Sequence, residues 1–146
     1  ERFFGNCLFY FTGMVRRSEP ILRKQEGARV FELKHKSKEM GYSIYEHFKK
    51  GRLDDFGEML HEYWTLKKSM SAQMSSARFD EIYDAATRAG ALGGKIMGAG
   101  GGGYFMFYCP TKAAKARVER ALKPFLLRKM NFLPDTKGAR VKVLNL

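Results

Sequence analysis

The stretch GGKIMGAGGGGYFMFYCP, residues 93–110, holds seven of the chain's fifteen glycines and passes directly into an aromatic run. Glycine loses more backbone freedom on folding than alanine, at roughly 0.5–1 kcal/mol per residue in a regular element. A cluster this dense beside a stiff, strand-forming segment therefore implies one of two constraints. Either the backbone takes positive φ there, or another group approaches it too closely for a Cβ. Any fold for this chain has to be built around that loop.

At 146 residues the chain is expected to form a single domain, 1–146, large enough for one ordinary core. Hydrophobic residues make up 45% and charged residues 29%, a globular composition, and no apolar run reaches the eighteen residues of a membrane span. The start, ERFFGNCLFYFTG, lacks an initiator Met and enters an apolar strand almost at once, which suggests a piece of a longer polypeptide. Cys7 and Cys109 sit in or beside apolar strands and read as buried thiols of a reducing compartment. The net charge of +12 points to an anionic partner and is concentrated at the end: residues 111–146 carry ten Lys and Arg against Glu119 and Asp135. Between Lys112 and Arg128 the plainer reading is a solvated basic helix face.

CLFYFTG reads as a strand stopped by Gly13, and SEPILRKQ as a helix start with Ser18 as cap and Pro20 in the first turn. A loose helical pattern runs from about Val30 to Lys50, and Gly51 ends it. Leu53, Phe56, Met59, Leu60, Tyr63 and Trp64 then form a stripe at three- and four-residue steps, behind Asp54 and Asp55 in the first turn. Ser69, Ser71, Ser75 and Ser76 mark a polar break. Phe79, Ile82, Tyr83 and Ala86 line a further helix that Gly90 stops. After the glycine loop come the strand YFMFYC, a basic helix from Lys112 to Arg128 bent or split at Pro124, a turn at PDTKG and a final strand at Val141 and Val143. The order strand, helices, glycine loop, strand, helix, strand predicts an α+β class: a ferredoxin-like antiparallel sheet with helices on one face and a helical insertion.

Gly98, Gly100 and Gly103 satisfy G-x-G-x-x-G, but the dinucleotide fingerprint needs a strand before and a helix after, and here a strand follows. A Walker A loop needs its Lys after the glycines, whereas Lys95 precedes them. What remains is a strand-to-strand loop. Its consecutive amides can form an anion-binding nest, with Lys95 adding a point charge, or its glycines can simply admit a helix crossing close above a tight hairpin.

GGKIMGAGGGGYFMF resembles the third signature motif of the galactokinase, homoserine kinase, mevalonate kinase and phosphomevalonate kinase (GHMP) superfamily. LFYFTGMVRRSEPILRKQ, LDDFGEMLHEYWTLKKSMS and FDEIYDAATRAGALGGKIMGAGGGGYFMF together resemble the C-terminal domain of the heptose 7-phosphate kinase branch, across nearly the whole chain. The resemblance implies a two-domain, cytoplasmic kinase whose N-terminal domain, absent from this chain, holds ATP, the Mg²⁺ ligands and the catalytic acid. This chain alone is then expected to be inactive and to bind neither ATP nor Mg²⁺ by itself, with no catalytic residue and no metal ligand of its own. Carried over, Gly98, Ala99, Gly100, Gly101 and Gly102 line the active-site cleft and help shape a phosphate and sugar site. Met97 stands where many members have Thr or Ser, which removes a hydroxyl contact but leaves the backbone role.

Arg16 and Arg17 stand at a strand-to-helix turn, where a guanidinium can clamp a substrate phosphate, or where an exposed pair can simply sit in solvent. The resemblance to the family's TG…R.S stretch favours the clamp. Asp54, Glu58 and Glu62 share a helix face opposite the apolar stripe, as solvated carboxylates do. His35, His47 and His61 lack partners at metal-ligand spacing. The rival from another class is a basic ferredoxin-like RNA-binding module, with YFMFY as a stacking strand. It lacks the required Lys/Arg-Gly-Phe/Tyr signature, so a nucleic-acid partner is not expected. A non-catalytic interaction domain of the same fold is the other alternative.

Overall fold

The computed structural model describes residues 2–15, 28–70, 75–139 and 141. A short helix, α1 (Arg2–Asn6), leads into strand β1 (Cys7–Phe11). Three helices follow, α2 (Ala28–Lys49), α3 (Leu53–Met70) and α4 (Ala77–Arg88). Strands β2 (Gly93–Ile96) and β3 (Tyr104–Tyr108) flank the glycine loop, and α5 (Lys112–Leu122) leads to the edge strand β4 (Arg128–Met130). The sheet is antiparallel throughout with order β2-β3-β1-β4. That is the ferredoxin-like split βαβ arrangement, with α2 and α3 as the helical insertion.

Alternation along the strands separates two apolar clusters. Leu8, Tyr10, Ile96, Phe105 and Phe107 point to one face, where α4 contributes Phe79, Ile82, Tyr83 and Ala86 and α5 contributes Ala114, Val118 and Leu122. Burying a side chain of Phe or Leu size contributes about 1.5–3 kcal/mol, so this cluster dominates the fold's stability. Its helices begin where the sequence places caps: Ser76 Oγ accepts from the Phe79 amide and Thr111 Oγ1 from the Ala114 amide. Gly90, at φ +113°, ends α4, and Arg117 Nε donates to the Ala89 carbonyl at that end. Cys7, Phe9 and Tyr108 point to the opposite face, under Phe56 and Leu60 of α3 and Phe3 of α1. Cys7 and Cys109 are both free and buried, and burial pushes the thiols up to about 12 and about 11.

The insertion lies against β2 with no room for a side chain between them. A Cβ on Gly93 would stand 2.1 Å from the Gly57 carbonyl oxygen, and one on Gly57 would stand 2.6 Å from Tyr108 Cδ1. The glycines at 93 and 94 thus answer to close approach, one of the two constraints read from the sequence. In consequence α3 straddles the edge of the sheet. Phe56 and Leu60 join one cluster and Trp64, a further turn along, joins the other.

Three expectations change. The basic helix stops at Leu122 rather than Arg128, because Pro124 has no amide to continue it. A 3₁₀ turn at Lys123–Phe125 and a left-handed Leu126 (φ 55°) then swing the chain back. Among the described residues the fourth strand is Arg128–Met130, with Arg128 opposite Phe11; the expected strand through Val143 lies outside them. Val141 is 92% exposed and outside any strand, and 142–146 lie outside the described residues. Finally, the chain opens on a helical turn before β1, and β2, implied by reading the loop as strand-to-strand, adds a strand to the predicted order. The expected helix at Ser18 and Pro20 lies outside the described residues.

Candidate functional site: the glycine loop and its two lysines

Residues 97–103 join β2 to β3. Gly98, Gly100, Gly101 and Gly103 take φ of 76°, 89°, 69° and 91°, values that a residue with a Cβ adopts only under strain. Positive φ is therefore the second constraint met by the cluster. The loop is fastened on the β1 side by Thr12, the one buried polar side chain among the described residues. Its amide and its Oγ1 both donate to the Gly103 carbonyl at 2.9 Å. The Gly103 amide donates in turn to the Met14 carbonyl at 2.8 Å, and Met97 closes the base through its amide to Tyr104. A Cβ on Gly102 would meet the Met14 carbonyl oxygen at 2.9 Å, so the Thr12–Met14 turn also packs directly on the loop.

These bonds leave the middle of the loop unspent. Among the described residues, none of the amides of Gly98, Ala99, Gly101 or Gly102 donates to a protein acceptor, although Gly101 and Gly102 are buried. Buried amides ordinarily have partners. Gly98, Ala99, Gly100, Gly102 and Gly103 border a cleft of about 400 Å³ that Phe11, Val15, Met97 and Tyr104 also line. Successive free amides on positive-φ glycines make a concavity suited to an anion.

Lys95 projects from β2 with its Nζ 4.6 Å from the Tyr63 ring centroid. Lys67, near the end of α3, lies 6.0 Å from the same ring and donates through Nζ to the Gly98 carbonyl. Burial strips water from the Lys67 ammonium and Lys95 repels it, which together lower its pKa from 10.5 to about 8. Because the folded value lies below the unfolded one, the unfolded chain holds more protons between about pH 8 and 10.5, and stability rises with pH across that window. The cost of the buried charge is present in full below it. Lys67→Met removes that cost, so thermal midpoints of variant and wild type should diverge in the variant's favour at pH 7, with the gap shifting toward wild type as pH approaches 10.5. A gap independent of pH would contradict the assignment.

Of the residues singled out in the sequence, Gly98, Ala99, Gly100 and Gly102 line one cleft; Gly101 is buried outside its lining, Lys95 stands at the Tyr63 ring that Lys67 also approaches, and Arg16 and Arg17 lie outside the described residues. Sequence reasoning missed Lys67 and assigned Tyr63 to the core stripe, whereas the ring is half-buried between the two ammonium groups. The only sequence signal was that Lys67 follows Tyr63 by one helical turn. Asp54, Glu58 and Glu62 are exposed, with Asp54 accepting a 2.9 Å hydrogen bond from Tyr108. His61 bonds Tyr83 and His47 bonds Asp55, so both have structural partners. The aromatic strand offers no stacking platform: Phe105, Phe107 and Tyr108 are 0% exposed. No described helix is long and apolar enough to cross a membrane.

Residues 44–126 match the family described as GHMP kinases C terminal, a stretch that spans α3 through the glycine loop to α5. The chain belongs to that family. It is 29% identical over 124 residues to D-glycero-alpha-D-manno-heptose 7-phosphate kinase from Campylobacter jejuni, covering 82% of this chain and 36% of that protein. Similarity to the L-fucokinase/L-fucose-1-P guanylyltransferase of Bacteroides fragilis is 25% over 121 residues, covering 79% and 13%. This GHMP kinase C-terminal chain therefore spans about a third or less of the length of those relatives. The same fold is found in Streptococcus pneumoniae phosphomevalonate kinase, solved with phosphomevalonate and AMPPNP. That match has a TM-score of 0.73 at 15% identity, over 86% of this chain and 39% of that one.

Proposed function

We propose that this chain is the C-terminal part of an ATP-dependent small-molecule kinase of the cytoplasm, acting on a phosphorylated sugar of the heptose 7-phosphate type. The observation that carries this reading is a cleft lined by Gly98, Ala99, Gly100 and Gly102, where the amides of Gly98, Ala99 and Gly102 have no acceptor among the described residues and Lys67 holds the Gly98 carbonyl. Phosphoryl transfer is chiefly positioning and charge stabilisation, and fixed backbone donors with nearby ammonium groups supply both. Backbone amides and ammonium groups are a donor set that suits phosphate oxygens. The relatives' greater length supports assigning ATP and Mg²⁺ to a further domain of the protein that carries this chain, and this chain by itself should not turn over. Gly98, Ala99, Gly100, Gly101, Gly102 and Lys95 would form the wall of the site, with Arg16 and Arg17 as further candidates for the substrate's phosphate. The similarity to a heptose 7-phosphate kinase supports a phosphorylated acceptor, as does the net charge of +12.

The test is ATP consumption by the protein that carries this chain, assayed against heptose 7-phosphate, L-fucose and a panel of other sugars and sugar phosphates. Turnover with the heptose phosphate is the expected result. Turnover with a different acceptor alone would keep the kinase and discard this substrate, and none with any acceptor would discard the activity.

A further inference from the structure

Lys67 and Lys95 reach one place from different elements, and the geometry that brings them there is rigid. Gly57 touches Gly93, and ten residues further along α3 Lys67 touches Gly98, five residues beyond Gly93. Ten helical residues rise about 15 Å, and strand β2 with the first residues of the loop covers a comparable length, so helix and strand run side by side and arrive together. The Tyr63 ring lies within 6.0 Å of both ammonium nitrogens. No carboxylate among the described residues comes within 4.0 Å of either, while the neighbouring Lys68 is paired with Asp80 at 2.9 Å. Two half-buried cations that repel one another beside the same ring, with no carboxylate at hand, are a costly arrangement. They stand next to the loop, where the amides of Gly98, Ala99, Gly101 and Gly102 have no acceptor among the described residues.

We propose that Lys67 and Lys95, gathered at the Tyr63 ring beside the glycine loop, form a binding site for a phosphate group. A phosphate carries close to two negative charges and three strong acceptor oxygens, which matches two ammonium groups and adjacent amides better than a carboxylate does. Lys67 also ties occupancy to loop shape. One of its N–H bonds holds the Gly98 carbonyl while the other two remain for the ligand. The proposal deepens the kinase reading and rests on it for the source of the phosphate, which is either the acceptor's own group or one of ATP's.

The probe for the site itself is inorganic pyrophosphate, titrated calorimetrically into the protein that carries this chain and its Lys67→Met, Lys95→Met and Lys67→Arg variants. Lys112→Met, an exposed site on α5, controls for net charge. Either Met variant at the site should weaken the Kd by about tenfold or more, with Lys112→Met unchanged and Lys67→Arg recovering most of the loss. A Kd within twofold of wild type in both site variants overturns the proposal, as does an equal loss in Lys112→Met. Steady-state kinetics then separate the sources. A raised KM for the phosphorylated acceptor alone assigns the site to the acceptor, and a raised KM for ATP alone assigns it to the nucleotide. Turnover with an unmoved pyrophosphate Kd would sink the lysine site and leave the kinase. A weakened Kd in a protein with no turnover would leave the site and sink the kinase.

Discussion

Gly93→Ala should lower the thermal midpoint by ~6–12 °C, the largest loss expected from a single added methyl in this chain. The new Cβ would stand 2.1 Å from the Gly57 carbonyl oxygen and 2.7 Å from the His61 amide nitrogen. Both are backbone atoms of α3, so no rotamer change relieves the clash and the helix must move off the sheet edge. Overpacking of that kind costs about 3 kcal/mol or more. Displacing α3 also separates Trp64 from Phe105 and Lys67 from Gly98, so loop and core weaken together. Gly98→Ala is the informative comparison. It meets nothing within 4 Å and costs only its φ of +76°, about 1 kcal/mol. Equal midpoints for the two variants, measured by circular dichroism, would refute the close-packing account of β2.

Gly100→Val is the counterpart for activity. Gly100 is buried at φ 89°, and a β-branched residue there must distort the loop or leave the left-handed region. Either response moves the amides from Gly98 to Gly102 away from the cleft, and misplacement by an ångström costs about 10²-fold in rate. The kcat/KM of the proposed kinase should therefore fall by about two orders of magnitude or more, while the apolar cluster under α4 and α5, to which this loop residue does not belong, keeps the domain folded. A variant retaining a third of wild-type kcat/KM would remove the loop from the site.

Much of the architecture was legible where a pattern is local. The stripe through Phe79, Ile82, Tyr83 and Ala86, the Ser76 cap and the Gly90 stop depend only on residues within four positions of one another, and each stands in the structure as read. The strand at Arg128–Met130 was not legible, because it depends on pairing to an edge of β1 that the sequence does not display. Pro124 and the left-handed Leu126 bring Arg128–Met130 to that edge. The candidate site was half legible. Its glycines announce positive φ by their composition, but the position of Lys67 follows from a helix lying within backbone contact of a strand more than thirty residues away.

By itself, then, the sequence determined that a glycine loop joins two strands of an antiparallel α+β domain, because Gly clustering, strand alternation and helix capping are short-range properties of the chain. Only the tertiary structure decided which glycines serve positive φ and which serve close packing, and which of many lysines stand at the loop. Those depend on where α3 settles along β2, and that distance is set by side chains that are absent.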